Sequence, residues 1–146
     1  MRALLFAAFA LAACAQTGGQ TPTPQPNSEL AQLIRADLDN IERELRAPGI
    51  VSAGLNETAD LGGGLTVRPL EVKEDSRCPG NVTCVWAGRL VIRANVSGTE
   101  RELTLGRSLE TPQGAVTFAV ARPGAWHEWP VNEVAKPSYR FGFRRG

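Results

Sequence analysis

Nucleophilic or acid–base chemistry in this chain would rest on a single histidine, His127. A hydrolase triad needs a nucleophile, a general base and an orienting carboxylate within hydrogen-bond reach of one another. The candidate nucleophiles Ser108 and Ser138 lie in predicted turns, and neither belongs to a nucleophile-elbow motif. We therefore predict no catalytic residues and interpret the chain as non-enzymatic.

A short loop near the C-terminus carries two tryptophans, the histidine and a carboxylate. These consecutive residues are Trp126, His127, Glu128 and Trp129. Tryptophans beside a carboxylate can stack on sugar rings or bind a peptide, and amphipathic tryptophans also lie at membrane interfaces. The alternative, which we favour, is that one or both plug an open end of a β-sandwich, since tryptophan is usually buried. All four residues remain candidate binding residues.

Asp75 and Arg77 flank Ser76 at the start of a loop that contains two cysteines. An ion pair between them, with backbone hydrogen bonds, could hold this loop in place. Glu71 and Glu74 are close in sequence to Asp75, so a calcium site is the functional alternative. Calcium usually takes six or more oxygen ligands in a defined loop pattern, which is missing here. We predict no metal site and no cofactor.

The first residues of the chain have the pattern of an export signal. Arg2 precedes an apolar stretch that is too short for a bilayer crossing, which needs about 20 residues. The stretch ends in Leu-Ala-Ala-Cys at residues 11–14, which resembles the lipobox of bacterial lipoprotein signal peptides. The resemblance implies cleavage before Cys14, a diacylglycerol on its thiol and an acylated amino terminus. Residues 1–13 are therefore predicted to be a signal peptide, and Cys14 a membrane anchor.

Residues 14–27 are predicted to be a disordered tether. They consist mainly of Gln, Thr, Gly and Pro, a composition that cannot bury enough apolar surface to fold. Ala15 and Gln16 follow the anchor with no aspartate, which resembles sorting to the outer membrane in a two-membrane bacterium. We expect a protein of the cell envelope that is lipid-anchored, in the outer membrane if the host has two.

Cys78 and Cys84 are the remaining cysteines. With Cys14 used by lipid, they form an even pair in a compartment where disulfides persist, so we expect them to be bonded. Two alternatives stay open. A redox pair normally has two intervening residues at the start of a helix, and a zinc site would need two more ligands from a chain with one histidine.

The two cysteines belong to a longer string that runs from Asp75 to Gly88. It is similar to a motif of small secreted or lipid-anchored bacterial proteins of unknown function: Asp-Ser-Arg-Cys-Pro, two residues, Val, one residue, Cys, one residue, Trp-Ala-Gly. Every fixed position of the motif is present, and the resemblance extends more loosely to about Phe143. It implies the disulfide and a β fold but no activity. We assign Asp75, Arg77 and Trp86 to the structure of the loop.

Residues 28–47 have helical periodicity, with Ser28 as a candidate N-cap. Apolar residues recur at three- and four-residue spacing: Leu30, Leu33, Ile34, Leu38, Ile41 and Leu45. We predict that this stripe packs on the following domain. A coiled coil or a partner helix is the alternative.

From Gly49 onward the apolar pattern has period two, which is typical of strands. The alternating stretches are residues 65–72, 85–96, 103–105, 116–120 and 139–143. Arg68 and Pro69 interrupt the first stretch, which predicts a strand bent by a bulge or by the proline. Val85 and Trp86 are predicted to begin the second stretch as one long strand.

Ser97 and Gly98 form a turn signal and predict a hairpin. Short strands separated by Gly, Pro and Ser turns favour an antiparallel arrangement. The predicted fold class is mainly β: a small antiparallel β-sandwich or barrel over residues 48–146, preceded by one amphipathic helix and the disordered tether.

The charges of the chain nearly balance, with 16 basic and 15 acidic residues. Such a chain has no electrostatic footprint for nucleic acid. The expected partners are the membrane, through the lipid on Cys14, and an unknown envelope protein or glycan. We therefore predict a non-enzymatic envelope binding module. The alternatives are an enzyme acting on envelope polymer and an inhibitor of a secreted hydrolase that presents residues 122–130.

Overall fold

The computed structural model describes residues 28–146, so the predicted signal peptide, the anchor Cys14 and the tether lie outside the described residues. The fold is mainly β, as predicted. Its elements in chain order are α1 (Glu29–Leu45), β1 (Val51–Gly54), β2 (Ala59–Asp60), β3 (Thr66–Asp75), β4 (Leu90–Val96), β5 (Thr99–Thr104), β6 (Ser108–Leu109), β7 (Val116–Arg122) and β8 (Arg140–Arg145).

The strands form two four-stranded antiparallel sheets, in the orders β1-β8-β7-β6 and β2-β3-β4-β5. They share one hydrophobic core and do not close into a barrel, so the sandwich is the correct one of the two predicted arrangements. Phe118, Phe141 and Phe143 fill the centre from the first sheet, with ring centroids of Phe118 5.7 Å from Phe141 and 5.4 Å from Phe143. Val67 and Ile92 face them from the second sheet.

The bend in β3 and the hairpin after β4 are both confirmed. The pairing of β3 with β4 shifts register between Pro69 and Glu71, because a proline cannot donate to the ladder. Ser97 and Gly98 have φ angles of 47° and 90° and join β4 to β5 as a two-residue turn. Positive φ at both central residues matches the right-handed twist of a hairpin.

The helix packs on the β domain, as predicted. The Ser28 hydroxyl accepts from the backbone N–H of Ala31 at 3.3 Å, which caps the first turn. Ile41 and Leu45 pack on Val120 of β7. The opposite face of β7 lies on the sandwich core. Within residues 28–146 no helix is long and apolar enough to span a membrane.

Leu33 is an exception to the predicted apolar stripe, since it is 50% exposed. Ala31 and Ile34 take the buried positions of that turn instead. Leu33 directly precedes Ile34, and one residue along a helix rotates the side chain by about 100° away from its neighbour. The stripe is therefore narrower at its N-terminal end than the spacing of the apolar residues indicates.

The prediction that Val85 and Trp86 begin a strand is wrong. The strand β4 starts at Leu90, and residues 81–89 are all exposed. Backbone hydrogen bonds continue from β3 and β4 into this segment, with Cys78 N–H donating to the Ala87 carbonyl at 2.8 Å. Val85 and Trp86 nevertheless remain exposed, so their apolar pattern does not report a buried strand face.

Candidate functional site

Two loops, one from each sheet, contact each other at one end of the sandwich. The stapled loop, residues 76–89, joins β3 to β4, and the tryptophan loop, residues 123–139, joins β7 to β8. Gly80 N–H donates to the Ala125 carbonyl at 2.8 Å, and His127 N–H donates to Oδ1 of Asn81 at 3.1 Å. The fold thus brings together the two segments that the sequence singled out separately.

Arg77 of the stapled loop forms hydrogen bonds both to Asp75, at the end of β3, and to the tryptophan loop. Its Nε and Nη2 donate to the two carboxylate oxygens of Asp75 at 2.7 and 2.8 Å, and Nη2 also donates to the Pro123 carbonyl at 3.0 Å. The side chains of Arg77 and Asp75 are only 15% and 21% exposed. Bidentate contacts of this kind are among the stronger hydrogen bonds in proteins, so the expected ion pair is present and also holds the tryptophan loop.

Tyr139 completes this network by donating its hydroxyl to Oδ2 of Asp75 at 2.8 Å. Burial raises the pKa of the Asp75 carboxyl, but the hydrogen bonds from Arg77 and Tyr139 outweigh burial and leave that pKa below its ordinary value. Burial, and then the bonded Asp75 carboxylate, raise the pKa of Tyr139 to about 12. At neutral pH the carboxylate is charged and the phenol is neutral, so each hydrogen bond has a fixed donor and acceptor.

The tip of the stapled loop is closed by Cys78 and Cys84, which lie at disulfide distance with Cα atoms 5.9 Å apart. The loop also depends on Gly88, whose φ is +65°. A Cβ at that position would lie 1.7 Å from the Ser76 carbonyl oxygen. A β-carbon cannot approach an oxygen so closely, so only glycine fits this backbone.

The three carboxylates considered for calcium point to three different arginines. Asp75 pairs with Arg77, Glu74 with Arg89 at 2.8 Å, and Glu71 with Arg93 at 3.1 Å across the β3–β4 ladder. The Ser76 and Arg89 hydrogen bonds lower the pKa of Glu74. In the described part of the chain no group of three His, Cys, Asp or Glu residues could hold a metal ion.

The two tryptophans of the tryptophan loop pack against α1. Trp126 donates its indole N–H to Oδ2 of Asp37 at 2.9 Å, and Trp129 donates to the Val134 carbonyl at 2.8 Å. Their rings pack on a buried cluster of Ala31, Ile34 and Val134, which is separate from the sandwich core. The rings are therefore packed, but they fill a space beside the helix and not in the sandwich core. His127 and Glu128 are exposed.

Between the loops lies a cleft made of two adjoining cavities of about 260 and 250 Å³. The larger cavity is lined by side chains of both loops and of the end of β3: Asp75, Arg77, Trp126, Trp129, Lys136 and Tyr139. Arg77 and Trp126 also line the smaller one, and Asp37 of α1 contributes to it. The Lys136 ammonium lies 5.7 Å from the centroid of the Trp129 ring. We call this space the Trp126 cleft.

No protein-family model, curated protein or solved structure matches this chain. The Trp126 cleft presents two indole rings, one ammonium and one ion pair. Sequence reasoning missed Lys136, Tyr139 and Asp37 as members of the site. Only Tyr139 carried a signal, as the first residue of the last alternating stretch.

Trp86 stands apart from the other two tryptophans. It is 80% exposed at the tip of the stapled loop and lines neither cavity of the Trp126 cleft. The structural role assigned to Trp86 from the sequence has no counterpart in its surroundings, because its ring is in solvent. The residues with that role are Asp75 and Arg77.

Proposed function

We propose that this protein is a lipid-anchored, non-enzymatic binding module of the bacterial cell envelope, and that its ligand occupies the Trp126 cleft. The observation that carries the proposal is the convergence of the two loops. Side chains distant in sequence, Asp75 and Arg77 on one side and Trp126, Trp129 and Lys136 on the other, meet around one concave space.

The lining of the cleft favours a small polar group with a ring, such as one sugar unit of an envelope glycan. Trp126 and Trp129 offer aromatic faces on which the apolar side of a ring can stack. Asp75 and Arg77 satisfy each other, whereas the Lys136 ammonium can donate to a ligand hydroxyl or carboxylate. A cavity of about 260 Å³ is below the roughly 300–1,000 Å³ typical of drug-sized ligands, so it would admit one ring at a time. A peptide side chain is the alternative ligand.

The anchor is tested by intact mass of the protein purified from the membranes of its own host. A mass matching a chain that starts at Cys14 and carries acyl groups supports lipid anchoring. Alkylation before and after reduction tests the disulfide, because two thiols should become reactive only after reduction. An unlipidated mass would remove the anchoring part of the proposal.

The binding site is tested with saccharide fragments released from the host envelope and with the intrinsic tryptophan fluorescence of the protein. Lys136→Ala should lower the affinity for a binding fragment, measured by fluorescence titration, about tenfold, since it removes a cation next to Trp129. Lys73→Ala is the matched control, because Lys73 is the only other lysine and lies exposed on β3. Equal affinities in the two variants would contradict the assigned site.

The same experiment separates the competing functions. A binding module leaves the fragment unchanged, so mass spectrometry should recover it intact after incubation. A shortened or modified fragment would favour the envelope-polymer enzyme, with His127→Ala as the variant to examine next. Inhibition of lysozyme or of a secreted protease by the intact protein would favour the inhibitor.

A further inference from the structure

The tip of the stapled loop is an exposed apolar surface that the Trp126 cleft does not use. Val85 is 91% exposed, Trp86 is 80% exposed, and Val82 is exposed as well. Tryptophan is on average a highly buried residue, and clustered exposed apolar side chains mark interaction sites. Residues 79–88 carry no charge. The tip can therefore enter an apolar layer without removing an ion from water.

The tip is held in this exposed position by its backbone. Cys78 N–H donates to the Ala87 carbonyl and Gly80 N–H donates to the Ala125 carbonyl, each at 2.8 Å. Cys78 and Cys84, at disulfide distance, close the tip. A surface held in this way loses little conformational entropy when it binds.

The chain enters the domain at the same end. Backbone N–H of Ser28, the first described residue, donates to Oε2 of Glu133 in the tryptophan loop at 3.0 Å. Asp37 of α1 lines the same cavity as Cys78 of the stapled loop. The stretch from Cys14 to Ser28 spans at most about 50 Å when fully extended. A lipid on Cys14 therefore tethers the end of the domain that carries the exposed tip.

We infer that the tip of the stapled loop inserts into the interfacial layer of the membrane that holds the anchor, and so fixes the orientation of the domain on that membrane. The inference depends on the lipid anchor of the proposed function. Tryptophan prefers the membrane interface, where its ring meets acyl chains and its indole N–H meets water and headgroups. Trp86, with Val85 and Val82 beside it, supplies that combination without a charged neighbour in the tip.

Arginines at the base of the tip suit this position. Arg77, Arg89 and Arg107 line one cavity of about 460 Å³ together with Gly88. Arg77 and Arg89 have carboxylate partners, whereas within residues 28–146 the Arg107 side chain has no ion pair. A guanidinium just above an inserted tryptophan lies at the depth of the lipid phosphates, with which it can form charge-assisted hydrogen bonds.

The test uses the lipidated chain, verified by intact mass, in vesicles of phosphatidylethanolamine and phosphatidylglycerol that contain a lipid with brominated acyl chains. Bromine quenches tryptophan only at contact range. The parent should lose about one third of its emission, since Trp86 is one of three tryptophans. Trp86→Phe should abolish the quenching. Leu55→Ser, which changes an exposed apolar residue in the loop between β1 and β2, should leave it unchanged.

The outcomes separate the inference from the proposed function. A lipidated chain whose Trp86 emission is unquenched overturns the inference alone. A chain without acyl groups on Cys14 overturns both. If Trp86 becomes protected without lipid, either with rising protein concentration or on adding envelope proteins, the tip binds a second copy or a protein, and the inference is wrong. The inference is supported if Val85→Ser reduces the quenching and Leu55→Ser leaves it unchanged.

Discussion

The stapled loop and the tryptophan loop lie side by side, yet they treat their tryptophans in opposite ways. The tryptophan loop packs Trp126 and Trp129 under α1 and satisfies both indole N–H groups with protein acceptors. The stapled loop leaves Trp86 in solvent. Within residues 28–146, α1 covers the tryptophan loop and no element covers the stapled loop. The surroundings of a tryptophan therefore depend on the layer above it.

This difference also separates the sources of stability. Burial of the two rings against Ala31 and Ile34 can stabilise the tryptophan loop. The stapled loop buries almost nothing between residues 81 and 89, so its conformation must depend on backbone fit, on its cysteine pair and on the Asp75–Arg77 contact. Substitutions can test each of these dependences.

The largest effect is expected from Gly88→Ala. Alanine at a φ of +65° costs about 1 kcal/mol, and displacing the Ser76 carbonyl from the new β-carbon adds about 1–3 kcal/mol. Gly98→Ala is the matched control, because its φ is +90° but no atom lies within 4 Å of the added carbon. Denaturant unfolding should show a loss of about 3 kcal/mol for Gly88→Ala and about 1 kcal/mol for the control. Equal losses would mean that the close approach is relieved at no cost.

The second-largest loss of stability is expected from replacing the cysteine pair. Replacing both Cys78 and Cys84 with alanine opens a short loop, and the chain-entropy description gives a loss of about 2–2.5 kcal/mol in the free energy of unfolding. The reduced parent protein is the control and should lose a similar amount. A double variant as stable as the oxidised parent would show that Arg77 and the backbone hydrogen bonds hold the loop without the cysteines.

A smaller effect on the free energy of unfolding is expected when one tryptophan from each loop is replaced. Trp126→Phe removes the indole donor to Asp37 and part of a packed ring, and should lower the free energy of unfolding by about 1–2 kcal/mol. Trp86→Phe changes an exposed ring and should stay within about 0.5 kcal/mol of the parent. Comparable losses in both variants would show that Trp86 is covered in solution, and the contrast between the loops would then disappear.

Periodicity predicted most of the fold because most of the apolar residues obey it. The cap at Ser28, the bend at Pro69 and the turn at Ser97 depend on local chemistry, and each is present in the structure. The pattern misled at Val85 and Trp86, since alternation reports a buried face only where a second layer covers the strand.

The Trp126 cleft was harder to predict than the sandwich. Its two halves lie about 46 residues apart and belong to different sheets, so no local pattern links Arg77 to Pro123 or Gly80 to Ala125. Lys136 and Asp37 have no sequence signal, because one is exposed in a loop and the other lies beside the apolar stripe of α1. Only the three-dimensional structure brings these residues together.

The smallest expected change is in the pKa of Tyr139 when Asp75 is replaced by asparagine, and it is read from the titration of Tyr139. Tyr139 is the only tyrosine, so phenolate absorbance reports its pKa directly, and we expect about 12 in the parent. Burial is the largest cause and remains in the variant, whereas the negative charge of Asp75 is lost. The pKa of Tyr139 should therefore fall in Asp75→Asn but stay above its ordinary value of about 10.

The sign of the stability change follows from the same pKa. The folded protein holds the phenolic proton more tightly than the unfolded chain. The contribution of Tyr139 to the free energy of unfolding is therefore fully present below about pH 10 and is lost as the pH rises through about 12. Tyr139→Phe, which cannot titrate, should lack that alkaline loss. An ordinary tyrosine pKa in the parent would show that Tyr139 does not contact Asp75 in solution, and that the tryptophan loop and the end of β3 are not joined through this hydrogen bond.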